Sequence, residues 1–224
     1  MVSRFECEAI LFDLDGVLVD STFSVERATR IWAERHGLDA AQVIENAHGR
    51  RTQEIVRDVA SHLDIDAEVR ELERIEMEDV ANVRKVEGAS DLLAALPNDS
   101  WAIVTSGTRA LATARMRHTG LPEPRVLVSA EDVENGKPDP ECYLKAGKLI
   151  SVPPQRCVVV EDALPGILAA RSADMAVIAV ATTHSATELS GANAIARTLI
   201  SIRVEETRAA ARNGKPHLSL VLED

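Results

Sequence analysis

The chain has 224 residues, 46% of them hydrophobic and 27% charged. That profile belongs to a folded globular protein with room for one domain and a sizeable insertion, and it excludes a disordered chain. The net charge of -11 argues against nucleic acid as a partner, because phosphate backbones are gripped by clustered Lys and Arg. No apolar run approaches the ~18 residues of a membrane span and nothing resembles a signal peptide. Cys7, Cys142 and Cys157 are too few and scattered for a disulfide framework or a zinc site. These features predict a cytoplasmic protein with reduced thiols, either a monomer or a weak homo-oligomer.

In chain order, residues 8–14 form a short apolar stretch that runs into Asp-Leu-Asp-Gly and reads as a buried strand followed by a turn. Residues 17–85 contain only helical patterns, at 23–36, 40–46, 52–63 and 67–83. In the last of these Val69, Leu72, Ile75, Val80 and Val83 recur at roughly helical spacing. Its acidic part, 68–79, is expected to be a solvated face, and Trp32 is expected in a core. Beyond residue 85 short Val-, Ile- and Ala-rich strands (101–105, 125–129, 157–161, 176–180) alternate with helices (89–96, 110–119, 140–150, 164–173). Such alternation predicts an α/β fold, a Rossmann-like parallel sheet covered on both faces. Residues 1–16 and 86–224 would form that core, and 17–85 an inserted helical domain hinged near 17–20 and 83–87. The tail, 209–224, carries an Asn213-Gly214 turn signal and an apolar run at 218–222, and reads either as a final strand or as poorly ordered chain.

Open α/β sheets bind ligands beyond the carboxyl ends of their strands. The polar residues expected there are Asp13, Asp15 and Gly16, then Thr105, Ser106 and Gly107, then Glu161 and Asp162, with Lys137 in a turn before a helix. Taken singly, each has a plainer use as a turn or a helix cap. Four such features in order, each at the end of its element, point to one crevice. Asp13 and Asp162, helped by Glu161, offer hard oxygen ligands for Mg²⁺. Asp13 is then placed to attack a phosphate ester and Asp15 to move the proton of the leaving alcohol. Thr105 and Lys137 would hold the oxygens of the transferring phosphoryl group.

The string from Phe12 to Ser21, Phe-Asp-Leu-Asp-Gly-Val-Leu-Val-Asp-Ser, resembles the first motif of the haloacid dehalogenase superfamily. Val104-Thr105-Ser106-Gly107, Lys137-Pro138-Asp139-Pro140 and the run from Val160 to Ile167 look like its second, third and fourth. The resemblance implies an α-helical cap at 17–85 and a Mg²⁺ site built from Asp13, Asp15 (through its backbone carbonyl), Glu161 and Asp162. It also implies Asp13 as nucleophile, Asp15 as acid/base, and Thr105 with Ser106 and Lys137 as phosphate-binding residues. Many relatives carry Ser or Thr where Ala163 stands. The second Asp points away from the dehalogenases and phosphonoacetaldehyde hydrolases of the superfamily.

The stretch from Ala47 to Glu54 is similar to the cap loop of sugar- and polyol-phosphate phosphatases, so His48 and either Arg50 or Arg51 are candidate substrate contacts. The expected partner is a small phosphorylated metabolite. A β-phosphoglucomutase-like mutase, which shares the core motifs, and a phosphoglycolate or nucleotide phosphatase are the alternatives. A signalling receiver domain fits poorly, since its phosphorylated Asp ends a later strand than its acidic pair.

Overall fold

The computed structural model describes residues 3–206 and 216–223. The chain opens with β1 (Ser3–Cys7) and β2 (Ala9–Phe12). A two-residue strand, β3 (Val19–Asp20), leads into helices α1 (Thr22–Arg35), α2 (Ala40–Ala47), α3 (Thr52–Ala60) and α4 (Ile65–Glu78). β4 (Arg84–Lys85) leads back out. Then come α5 (Ala89–Ala94), β5 (Trp101–Val104), α6 (Arg109–Thr119), β6 (Leu127–Val128), α7 (Glu141–Ile150) and β7 (Cys157–Glu161). The chain continues through α8 (Leu164–Ser172), β8 (Ala176–Val180), β9 (Ala194–Ala196), β10 (Ile202–Glu206) and β11 (Leu218–Leu222).

Six strands form a parallel sheet in the order β6-β5-β2-β7-β8-β9. Strands with both faces covered need apolar residues at every position, and β2, β5 and β7 are buried throughout. Successive side chains point to opposite faces. Ile10, Phe12, Ile103, Val158 and Val160 join one core with Leu92, Leu93 and Met116 of α5 and α6. Leu11, Ala102, Val104 and Val159 join another with Tyr143, Ala146, Ile167 and Ala170 of α7 and α8. The chain goes to one side of β2 for β5 and to the other for β7, so the strand order reverses at β2. A ligand crevice opens at such a point.

The four inserted helices bury a stripe of their own: Ala28 and Trp32 from α1, Val43 from α2, Ile55, Val56 and Ala60 from α3, and Leu72 and Ile75 from α4. Residues 17–85 nonetheless contain strand: β3 and β4 pair antiparallel, Val19 with Lys85 and Asp20 with Arg84. At two residues each, they are too short to show a period. The helix expected over 67–83 also ends early. After Glu78 a 3₁₀ turn, Val80–Asn82, takes over, and Asn82 Nδ2 donates to Asp79 Oδ1 at 2.7 Å across it. Val80 and Val83 keep helical spacing without being α-helical.

A second sheet, β1-β11-β10, is antiparallel with β11 in the middle. The run at 218–222 is therefore a fully buried central strand, while the Asn213-Gly214 turn signal lies outside the described residues. All three cysteines are free and buried. No described helix is long and apolar enough to cross a membrane.

Candidate active site

Asp13 is the first residue beyond β2, and its backbone N–H donates to Val160 O of the neighbouring strand at 2.9 Å. Gly16 turns the chain back with φ +80°, and a Cβ there would lie 2.0 Å from Asp162 Oδ2. A left-handed backbone and that close approach both require glycine. Lys137 is 2% exposed, and its Nζ donates to Asp13 Oδ1 and Glu161 Oε1, each at 2.6 Å. Glu161 Oε1 also accepts from Tyr143 OH at 2.9 Å, and Oε2 accepts from the backbone N–H groups of Asp162 and Ala163. Its four acceptor positions thus meet four donors. Thr105, beyond β5, accepts from the Gly107 N–H at 3.0 Å through its hydroxyl, which lies 3.5 Å from Asp15 Oδ2.

Asp13, Glu161 and Asp162 place carboxylate oxygens within 4.8 Å of one another, all buried. Burial, and then Glu161 and Asp15, push the Asp13 carboxyl up to about 7, with Lys137 opposing. Burial, and then Glu161 and Asp13, push Asp162 well above the usual carboxylate range. Burial alone would lower Lys137, but Asp13 and Glu161 outweigh it and hold the ammonium well above its ordinary value. Three carboxylates therefore face one buried cation, and a divalent ion fits the remaining charge. Since Glu161 is saturated by donors, Asp13 and Asp162 are the residues with oxygens free to face an ion. Thr183 Oγ1 donates to Asp162 Oδ2, so the carboxylate has a hydroxyl partner even though Ala163 offers none.

Above the carboxylates lies a cavity of about 400 Å³, closed on its far side by the inserted helices. His48, Arg50, Arg51 and Ser106 all line it, but they are engaged to different degrees. His48 packs edge-on against His184 with ring centroids 5.2 Å apart. Arg50 Nη2 donates to Asp58 Oδ2 at 2.7 Å on the partly exposed rim. Arg51 is buried: it pairs with Glu54 and donates to the carbonyls of Val133 and Glu134 at 3.0 and 2.8 Å, strapping the insertion to the core. The Ser106 hydroxyl donates to Gly49 O at 2.9 Å, a second tie of the same kind.

The match to known proteins agrees with this geometry. Residues 10–180 match the model of the haloacid dehalogenase-like hydrolases, a span that contains every residue of the carboxylate–lysine cluster. The chain belongs to this family. It is 45% identical over 179 residues to hexitol phosphatase A of Escherichia coli, covering 78% of this chain and 83% of that one. It is 34% identical over 210 residues to glycerol-1-phosphate phosphohydrolase 2 of Saccharomyces cerevisiae, covering 88% and 84%. Among solved structures, a hydrolase from Pseudomonas syringae superposes with a TM-score of 0.79 at 25% identity, covering 86% and 94%.

Within this family frame the acidic helix is the main correction to the sequence reading. Residues 68–79 are solvated on one side only, where Arg70, Arg74 and Glu78 are exposed; on the other Glu76 and Asp79 are buried, Glu73 accepts from Thr108 Oγ1, and Glu68 Oε2 accepts from Trp32 Nε1 at 2.7 Å. The unforeseen residue is Arg115, 3% exposed on α6. It donates through Nη1 to Asp15 Oδ1 at 2.7 Å and through Nη2 to Glu76 Oε2. In the sequence it is one of several Arg in an ordinary helix, with no local signal that places it near the crevice.

Proposed function

We propose that this hydrolase is a magnesium-dependent phosphatase, acting on small sugar or polyol phosphates through an aspartyl-phosphate on Asp13. The carrying observation is Asp13 itself, buried at the strand-order reversal, with Oδ1 held by Lys137 and Oδ2 without a hydrogen-bond donor among the described residues. Oδ2 is then the attacking atom. Lys137 and Thr105 hold the transferring oxygens where charge develops. Asp15 gives its proton to the departing alcohol oxygen, then takes one from the water that attacks phosphorus and frees Asp13. A magnesium ion held by Asp13, Asp162 and the Asp15 carbonyl would offset the repulsion between the phosphate dianion and the carboxylates.

The relatives named for hexitol and glycerol phosphates support the substrate class, as does the cavity. Val25, Val43, Ile44 and Val69 line it, together with Glu26, Gln53 and Glu73, which can accept from hydroxyls. A mutase must grip a second phosphate, and the two arginines of the cap loop, Arg50 and Arg51, are already paired with Asp58 and Glu54. Free buried thiols are compatible with a cytoplasmic enzyme. The test follows phosphate release and hexose-phosphate isomers together over a panel of sugar, polyol, glycolate and nucleotide phosphates, with and without a bisphosphate primer. Steady release from polyol or sugar monophosphates without primer is expected. Isomer conversion faster than release would overturn the phosphatase reading.

Metal binding makes a separate, pH-dependent prediction. The folded carboxyl of Asp13 lies at about 7 against an ordinary 3.8. Between those values the native state holds a proton that the unfolded chain has released. This group's contribution to stability is therefore present below the ordinary value and lost as pH rises through about 7. Mg²⁺ competes with that proton, so the rise in Tm on adding Mg²⁺ should grow from about pH 5 to about pH 8. Scanning calorimetry with and without the ion reads it, and a rise independent of pH would contradict the assignment of Asp13 as ligand.

A further inference from the structure

Arg115 joins two carboxylates that belong to different parts of the molecule. Asp15 is in the loop after β2, whereas Glu76 comes from α4 of the insertion. Asp15 Oδ1 receives both Arg115 Nη1 and Ser21 Oγ, each at 2.7 Å. Two donors on one oxygen fix the carboxyl plane and leave Oδ2 on the side of Thr105 and the phosphoryl site. Arg115 Nε is buried with no partner, so the direction of the guanidinium depends on the two carboxylates at its fork. A guanidinium stays charged, and when one partner is taken from a buried pair the remaining charge is left uncompensated at high cost. Here that cost has an outlet short of unfolding. The Arg115–Glu76 pair lies where α4 meets α6, and the backbone crosses between insertion and core only at the segments that carry β3 and β4.

We propose that Arg115 is a positioning residue for Asp15, and that Glu76 latches it, so that docking of the cap and orientation of the proton donor are one event. The inference rests on Asp15 being the acid/base. With α4 docked, the guanidinium is held from both ends and Asp15 Oδ2 faces the bridging oxygen of the ester. Glu76 neutralises the guanidinium, so Asp15 can accept through Oδ1 in its protonated form, and as the phosphorus–oxygen bond breaks the proton on Oδ2 passes to that oxygen. With α4 displaced, one arm of the fork faces water, the guanidinium turns, and Asp15 loses its fixed direction. The alcohol then leaves unprotonated, and a good leaving group tolerates this whereas an alkoxide does not.

Leaving-group dependence therefore separates positioning from general damage. The value of kcat/KM, which reports steps through departure of the first product, is measured for glycerol 1-phosphate and p-nitrophenyl phosphate. The proteins compared are the wild type, Asp15→Asn, Arg115→Lys and Glu76→Gln. For Arg115→Lys and Glu76→Gln the alkyl ester should slow about 30-fold and the aryl ester less than about 3-fold, the pattern of weakened general acid catalysis. Asp15→Asn should show the same pattern more strongly. If Asp15→Asn discriminates between the esters but Arg115→Lys and Glu76→Gln slow both equally, the pair is merely structural and the proposal fails. If Asp15→Asn does not discriminate, the acid role itself is wrong and the inference falls with it. Should Arg115→Lys not fold, Glu76→Gln carries the kinetic test alone. Amide hydrogen exchange gives a readout free of chemistry: Glu76→Gln should speed exchange in α4 and α6 but not in β2, β5 and β7. Unchanged exchange in α4 would contradict the latch.

Discussion

Asp13→Asn should lower kcat by at least about 10³-fold, the scale seen when a covalent catalyst is removed. The substitution keeps the shape of the side chain and one oxygen near Lys137 but removes the anion that attacks phosphorus. It also relieves a crowded cluster. Ionising Asp13 works against burial and against Glu161 and Asp15, so a neutral amide costs the metal-free protein little. Calorimetry should find the metal-free variant melting no lower than wild type by more than a few degrees while activity collapses. That pairing separates loss of chemistry from loss of fold. Magnesium-dependent hydrolysis at a near-normal rate would remove Asp13 from the mechanism.

Lys137→Met should damage both stability and activity. Lys137 bonds Asp13 and Glu161 at 2.6 Å each and is 2% exposed. Methionine has nearly the same length but leaves those carboxylates and Asp162 without a protein cation. Breaking a buried pair by removing one partner costs about 3–5 kcal/mol, and in a protein of this size each kcal/mol lowers Tm by about 2–4 °C. The metal-free variant should thus melt roughly 6–20 °C lower. Mg²⁺ should restore part of the difference, because it supplies the missing positive charge. Turnover should fall by about 10²–10³-fold, the loss typical of removing one group that stabilises charge on the transferring oxygens. A variant that melts with wild type in the absence of metal would show that Lys137 is not the counter-ion of this cluster.

What the sequence made legible follows from which interactions are local. β8 and the first four residues of β7 were readable because they are uniformly apolar, a pattern that both faces of a covered parallel strand impose. Asp13, Thr105 and Asp162 followed as the first polar residues past such strands. β1 was not readable. It alternates between half-exposed and exposed positions, and its pairing partner β11 lies some two hundred residues away, Ser3 opposite Leu222. Arg50 and Arg51 are adjacent and chemically identical, yet one reaches the exposed Asp58 and the other is buried among core carbonyls. That difference is set by where α3 docks, which no local signal carries. Arg115 and Glu76 were hidden for the same reason. Each looks like a solvated charge on its own helix, and only the meeting of α4 with α6 buries them together.

The most direct test of the account is to trap the phosphorylated enzyme and locate the label. Acyl phosphates are reduced by borohydride to the alcohol, so an aspartyl-phosphate becomes homoserine at the residue that carried it. Enzyme quenched during turnover of a polyol phosphate, reduced and digested, should give a peptide with homoserine at position 13 by mass spectrometry. Asp13→Asn treated in the same way should give none. Homoserine at position 15, or no conversion at any Asp while wild-type turnover is fast, would contradict transfer of the phosphoryl group through Asp13.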